Sequence, residues 1–550
     1  MNRKNKPWFN LWPAEVPKNI KYPQIPLQEI LHKSAENFPE KVALVHGKRE
    51  ITYAQLELLS NQFANALARL GVKKAERVAL FLPNIPEFII AYFGILKAGA
   101  VVTAISPLHR EREVKYHLCD SEAGTIIALD SLYPVVEAVW AKTKLKNVIV
   151  TRLDEASKTT TIPSKPSLFD FQQLLKEAPE TPLKVKINPD RDFAALQYTG
   201  GTTGTAKGAM LTHANLVSNA LMFAAWIKGA TAKETFLTAL PLFHIYGMTT
   251  SMTVPISLAA KMVLMPRFDP VKALEAIQRH RVTVFCGVPT MYSALLANSE
   301  LGKYDLTSIR VCISGASSLP PQIQKKFMQI TGGFLAEGYG LTEASPVTHC
   351  SPVDSTMRTV KVGSIGLPLP DTEAKIVDLD TGEKTLGLGE TGELAVKGPQ
   401  VMKGYWRKPE ETALVLRDGW LLTGDIAHMD EDGYFYITDR KKDLIKYKDY
   451  SVYPRELEDV LYEHPAVKLC AVVGKPDAVT GEVPKAFIVL KEGMAASAEE
   501  IISFVNDKIA PYKAIREVEF RKELPISSAG KVLRRLLQEE EKEKPFWGRN

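Results

Sequence analysis

An unbroken apolar run, Val78-Ala-Leu-Phe-Leu82, ends against Pro83, and a second one, Val101–Ile105, follows a helical stretch through Ala91–Lys97. Runs this short and this apolar are strands covered on both faces. A strand–helix–strand succession then sets the two strands parallel, with the helix packed on their sheet. Thr125–Leu129, Val148–Val150, Ala194–Tyr198 and Arg310–Ile313 continue the rhythm, and a helix over Tyr53–Leu70 stops at Gly71. The fold class is therefore α/β, with layered sheets and helices on their faces. Phe88–Ile105 is the most membrane-like stretch, but Lys97, Gly94 and Gly99 interrupt it, so it reads as a buried helix followed by a strand.

At 550 residues the chain is too long for one core, because single cores stop growing near roughly 250–300 residues. The first 30 residues form an irregular arm, and the stretch between Thr151 and Pro189 is a surface connection with one helix around Phe169–Leu175. After about residue 360 the texture changes to Gly-punctuated strands at Ala374–Val377, Gly392–Val396 and Gly433–Ile437, a β-rich subdomain. Beyond the charged knot Asp439-Arg-Lys-Lys-Asp443 lies an α+β pattern. Its strands are Lys468–Val473 and Ala486–Leu490, and its helix opens on a capping box, Ser497 with Glu500. The main boundary is placed at Asp439, giving a large domain over 1–438 and a small one over 439–550.

Lys and Arg number 69 against 63 Asp and Glu, an excess too small to call for nucleic acid. Five scattered cysteines without a C-x-x-C pair fit a reducing compartment, and no secretory h-region follows Met1, so cytoplasm is expected. The basic-aromatic end Lys544–Arg549 would suit peripheral contact with a lipid surface. Peripheral membrane contact and a homodimer are both compatible with the sequence.

The sharpest chemical signal is Tyr198-Thr-Gly-Gly-Thr-Thr-Gly-Thr-Ala-Lys-Gly208. Gly200, Gly201 and Gly204 let backbone N–H groups come close to an anion. Thr199, Thr202, Thr203 and Thr205 add hydroxyl donors, and Lys207 adds a mobile cation. Such a loop cradles a polyphosphate. It is not a Walker A loop, since Ala206 precedes the lysine and Gly208 follows it.

Four other segments carry candidate chemistry. Leu240–Met248 sets His244 in an apolar run, where a core histidine is the plain alternative. Ser314–Ser318 is a small-residue turn after a strand. Glu337-Gly-Tyr-Gly-Leu-Thr-Glu343 packs an aromatic, a hydroxyl and a carboxylate among glycines, and Glu343 is a hard oxygen ligand suited to Mg²⁺ beside phosphate oxygens. Leu524–Arg535 puts Lys531 on a glycine-containing turn that alone would be an ordinary exposed lysine.

The wording at 198–213, with these segments in the expected order, resembles the acyl-adenylate-forming superfamily: acyl-CoA synthetases, luciferases and peptide-synthetase adenylation domains. It looks most like bacterial and archaeal long-chain fatty acyl-CoA synthetases, over roughly residues 25–540. The resemblance implies ATP, Mg²⁺ and CoA, and a fatty acid activated as acyl-AMP. It implies that Lys531 is the catalytic lysine, with Lys207 and Thr342 on the phosphates, and that His244 walls the acyl pocket. Gly315 and Ala316 would border the adenine and the acyl carboxylate, and Tyr339, in the stretch Glu337–Gly338–Tyr339, would stack on adenine. Asp425 would take the ribose hydroxyls with help from Arg440, and Asp439 would be the hinge of a mobile small domain. Lys446, Lys448 and Asp449 would lie along the CoA path. There the sequence departs from the family's small Ser-Gly pair, placing Lys448 and Asp449 instead. Two other readings are an adenylating ligase for aryl or short acids, or one feeding a carrier protein, and a silent nucleotide- or lipid-binding protein. No large-domain insertion of the acyl-AMP ligase kind is evident.

Overall fold

The helix expected from Ala91 begins earlier, at Pro86, because proline suits the first helical position, where its missing N–H is not needed. Every residue of Pro86–Lys97 is buried. Lys97 is tolerated there because its ammonium reaches Asn61 Oδ1 at 2.7 Å, Ser60 Oγ at 2.8 Å and Glu57 Oε2 at 2.7 Å. The computed structural model describes residues 6–153, 165–199, 206–317, 319–353, 361–448, 450–477, 479–527 and 532–543. The chain packs as two compact units, Met1–Glu373 with Lys397–Leu421, and Ala374–Val396 with Leu422–Asn550.

The first unit holds two large sheets. A seven-stranded sheet comes from one continuous stretch, Arg77 to Thr212. Its pairings are parallel except the last, where Phe193–Thr199 runs antiparallel to Lys207–Thr212. A nine-stranded sheet takes Val42–His46 and Arg49–Thr52 from the start of the chain and its other strands from Thr235 to Pro368. In its centre Val284–Gly287, Val311–Ser314 and Phe334–Gly340 lie side by side and parallel. Each sheet has its own apolar layer: Phe81, Val114, Ile126 and Val148 belong to one, and Leu237, Ile277, Phe285 and Tyr292 to the other. The arm is irregular as expected, with one short 3₁₀ turn at Pro7–Asn10. All five cysteines are free thiols.

The second unit includes β segments ahead of Asp439. Gly392–Lys397 neighbours Trp420–Met429, which pairs antiparallel with Phe435–Arg440. A further sheet of Ile445–Tyr447, Tyr450–Val452, Val467–Asp477, Gly481–Leu490 and Glu517–Phe520 follows. Around it lie Pro454–Glu463, Ala498–Asn506 with the expected capping box at Ser497 and Glu500, and Arg534–Glu543. Among the described residues no helix is long and apolar enough to cross a membrane.

Candidate active site

In parallel α/β sheets ligands sit beyond the carboxyl ends of the strands, where successive chain turns leave a crevice. The candidate residues of the first unit concentrate there. Ser314 ends its strand opposite Glu337. Gly315 N–H then donates to Gly287 O at 3.1 Å, at the end of the next strand over. A Cβ on Gly315 would lie 2.9 Å from the Tyr246 ring, so only glycine fits that approach. Ala316 turns through φ +69°, a left-handed value that fixes a sharp bend after the strand.

His244 caps the short helix Ile245–Met248, its Nδ1 accepting the Tyr246 N–H at 3.2 Å, which leaves the ring proton on Nε2. Tyr246 in turn donates to Ile313 O at 2.9 Å. His244 and Gly315 are thereby linked through one aromatic ring. Glu337 is buried, and Leu319 N–H approaches its carboxylate at 3.4 Å. Gly338 follows it, and Tyr339 packs edge-on against His349, ring centres 5.9 Å apart. Thr342 and Glu343 open the 3₁₀ turn Thr342–Ala344 just past this strand.

The strands that flank the threonine–glycine loop belong to the other sheet. Thr199 and Lys207 face each other across the antiparallel pair and form its base, while Gly200, Gly201, Thr202, Thr203, Gly204 and Thr205 lie outside the described residues. Tyr405, a residue the motifs did not indicate, ties this base to the first group. Met210 N–H donates to Gly404 O at 2.9 Å and Trp406 N–H to Gly208 O at 2.8 Å, so the segment rides along Lys207–Thr212. The Tyr405 ring lies 5.2 Å from Lys207 Nζ, and its hydroxyl donates to Glu343 Oε1 at 2.6 Å. Burial, then the Glu343 carboxylate, raises the Tyr405 phenol pKa, so it stays a donor. The only sequence signal for it was an aromatic pair after Gly404, with no periodicity to interpret.

Whether Mg²⁺ fits can be judged from the donors. Among the described residues no group of three or more acids, histidines or cysteines could hold a metal by itself. Glu343 supplies one carboxylate, the kind of partial site that suits an ion arriving with phosphate oxygens and water.

The second unit positions its own set. Asp425 and Arg440 are partners across the strand pair, Arg440 Nε lying 2.9 Å from Asp425 Oδ1. Asp425 is nearly buried. Glu393 steadies the preceding turn, accepting Gly424 N–H at 2.9 Å and pairing with Lys441 Nζ at 3.0 Å. Asp439 has no side-chain exposure and accepts Arg440 N–H at 2.7 Å and Arg455 N–H at 2.8 Å. Burial pushes its carboxyl up to about 6, against the pull of Arg534. Arg534 pairs with Glu458 through both arms of its fork and approaches Asp443 Oδ2 at 3.4 Å and Asp439 Oδ1 at 3.8 Å. Lys446 reaches Ser451 Oγ at 3.1 Å, and its N–H donates to Glu482 at 2.8 Å. Lys448 sits at φ +52° in the turn between two strands, its N–H on Thr480 O at 2.7 Å. Asp449 and Lys531 lie outside the described residues.

Known proteins resemble this chain over most of its length. The pattern of the AMP-binding enzyme family matches residues 31–406, and that of the AMP-binding enzyme C-terminal domain matches 456–531. A long-chain-fatty-acid–CoA ligase of Bacillus subtilis is 44% identical over 98% of each chain. One of Salmonella typhimurium is 39% identical over 97% of this chain and 98% of its own. ATP-bound MatB from Rhodopseudomonas palustris superposes with a TM-score of 0.84 at 30% identity, over 94% of this chain and 99% of its own. The anthranilate CoA ligase AuaEII, in complex with anthranoyl-AMP, gives 0.86 at 30% identity, over 94% and 98%. With both patterns matched in order along one chain, this protein belongs to the AMP-binding enzyme family.

Proposed function

We propose that this protein is an ATP-dependent fatty acid–CoA ligase of the long-chain type, the activity that the names of its relatives over nearly the whole chain carry. The observation that carries the proposal is 44% identity over 98% of both chains to such a ligase. A fatty acid carboxylate is already ionised at neutral pH, so the first step needs no general base. One carboxylate oxygen attacks the α-phosphorus of ATP, the bond to the β-phosphate oxygen breaks, and pyrophosphate leaves with its electron pair. The enzyme's task is to gather two anions and to stabilise charge.

Lys207 and Thr199 with the loop they bound, Thr342 and Lys531 would do this. Tyr339 with the Gly315–Ala316 turn would hold the adenine, and Asp425 with Arg440 the ribose. Mg²⁺, when bound on Glu343, would neutralise phosphate oxygens. In the second step the CoA thiolate attacks the acyl carbon and AMP departs. Rotation about Asp439 would withdraw Lys531 and bring Lys446 and the Lys448–Asp449 turn to the CoA path. Pyrophosphate release should depend on fatty acid but not on CoA, and thioester should form only when CoA is added. Release with aryl or short acids alone would move the substrate assignment, and no release with any acid would defeat the enzyme reading.

A further inference from the structure

Helix Glu111–Ser121 belongs to none of the motifs, yet its last turns hold each described edge of the threonine–glycine loop. At the exit, Tyr116 OH donates to Ala206 O at 2.7 Å. At the entry, Tyr198 OH donates to Asp120 Oδ2 at 2.5 Å, and the His117 ring lies 3.9 Å from the Tyr198 ring. His117 is itself fixed, its Nε2 at 2.7 Å from Thr103 Oγ1. A third strand of the arrangement comes from Trp406, whose Nε1 donates to Asp120 O at 3.2 Å while its N–H holds Gly208 O at 2.8 Å.

Tyr116 and Asp120 are one helical turn apart and so share a face. That face spans the two stems of the loop. Burial raises the Tyr198 pKa, and Asp120 adds to the effect, so the phenol keeps its proton and its bond.

We propose that Tyr116 and Asp120 are positioning residues that seat the two paired stems, Tyr198–Thr199 and Ala206–Lys207, on helix Glu111–Ser121 and thereby set the affinity of Thr199 and Lys207 for the polyphosphate of a nucleotide. The inference rests on the nucleotide reading of the loop, not on the identity of the acid. A hydrogen bond of this kind changes an equilibrium by about 2- to 10-fold.

The test is calorimetric binding of MgATP to the full chain, with steady-state kinetics alongside. Tyr116→Phe and Asp120→Ala should each weaken MgATP about 3- to 10-fold and raise KM for ATP equally. KM for the fatty acid should stay within about 2-fold, and the melting midpoint should fall by no more than a few degrees. Asp120→Asn, which keeps an acceptor for Tyr198, should recover most of the binding. Unchanged MgATP affinity in both variants would overturn the proposal. So would a matched rise in the fatty acid KM with a falling midpoint, which marks a merely structural role. A wild-type chain that binds no MgATP would overturn the nucleotide reading as well, whereas one that binds it but turns over no fatty acid leaves the clamp to be judged on binding alone.

Discussion

The two units hold their candidate residues by different physics. In the first, the side chains sit at strand ends and are fixed by main-chain and phenol hydrogen bonds: Gly315 on Gly287, Tyr246 on Ile313, Tyr116 on Ala206, and Tyr405 and Tyr198 on the single carboxylates of Glu343 and Asp120. In the second, buried ions do the holding. Arg534 gathers Glu458, Asp443 and Asp439, and Lys485, almost wholly buried, meets Glu517 at 2.6 Å, Glu519 at 2.8 Å and Glu541 at 2.9 Å. A sheet edge sets geometry once the strands pair. A buried ionic knot sets it only while every partner is present, because a remaining lone charge is costly. The first unit is thus built as a fixed frame, and the second as a body whose joints depend on charge.

The largest test of that division is Lys531→Ala. Adenylation should fall by about 10²- to 10³-fold, the loss expected on removing a group aimed at developing charge. Transfer of supplied acyl-AMP to CoA should stay within a few-fold. Equal losses in both half-reactions would show that the units do not share the work in this way. Next in size is Arg534→Met, which leaves three carboxylates without their cation and should cost the second unit about 3–5 kcal/mol. Urea unfolding followed through both units would detect it, and an unchanged profile would remove the ionic knot as the second unit's support. The smallest effect belongs to Lys448→Gly. Lys448 occupies a left-handed conformation, so glycine there should add about 1 kcal/mol of stability, read as a rise of a few degrees in Tm. A fall instead would mean that the lysine side chain contributes more than its backbone costs.

Much of the frame was legible because parallel strands buried on both faces leave continuous apolar runs. Thr125–Leu129 was read without error, and the strand expected at Ala194–Tyr198 spans Phe193–Thr199. Helix starts are harder: the sequence points to a helix through Ala91–Lys97, and the structure begins it at Pro86, whose missing N–H is no loss in a first turn. The phosphate loop and the strand-end turns announced themselves through glycines and hydroxyls at fixed spacing. Tyr405, Tyr116 and Asp120 did not. Each acts through a partner far away in sequence, and nothing in its own neighbourhood encodes that pairing. Arg534 falls inside the Leu524–Arg535 segment read for Lys531, and nothing there marks it out, because its acids lie on other segments. The ion pair of Asp425 with Arg440 follows from a strand register that the Gly-punctuated texture implied but did not fix in detail.

The interleaving of the two large sheets also orders events during synthesis. The seven-stranded sheet uses only Arg77 to Thr212, so it can close as soon as that stretch has left the ribosome. Val42–His46 must wait for Lys261–Leu264, its parallel neighbour, which is made much later. Until then the hairpin it forms with Arg49–Thr52 keeps one apolar edge uncovered, and pairings this distant are slow and exposed to misassociation. Ribosome pauses before Leu264, or truncations ending there, should therefore be where this protein most needs a chaperone.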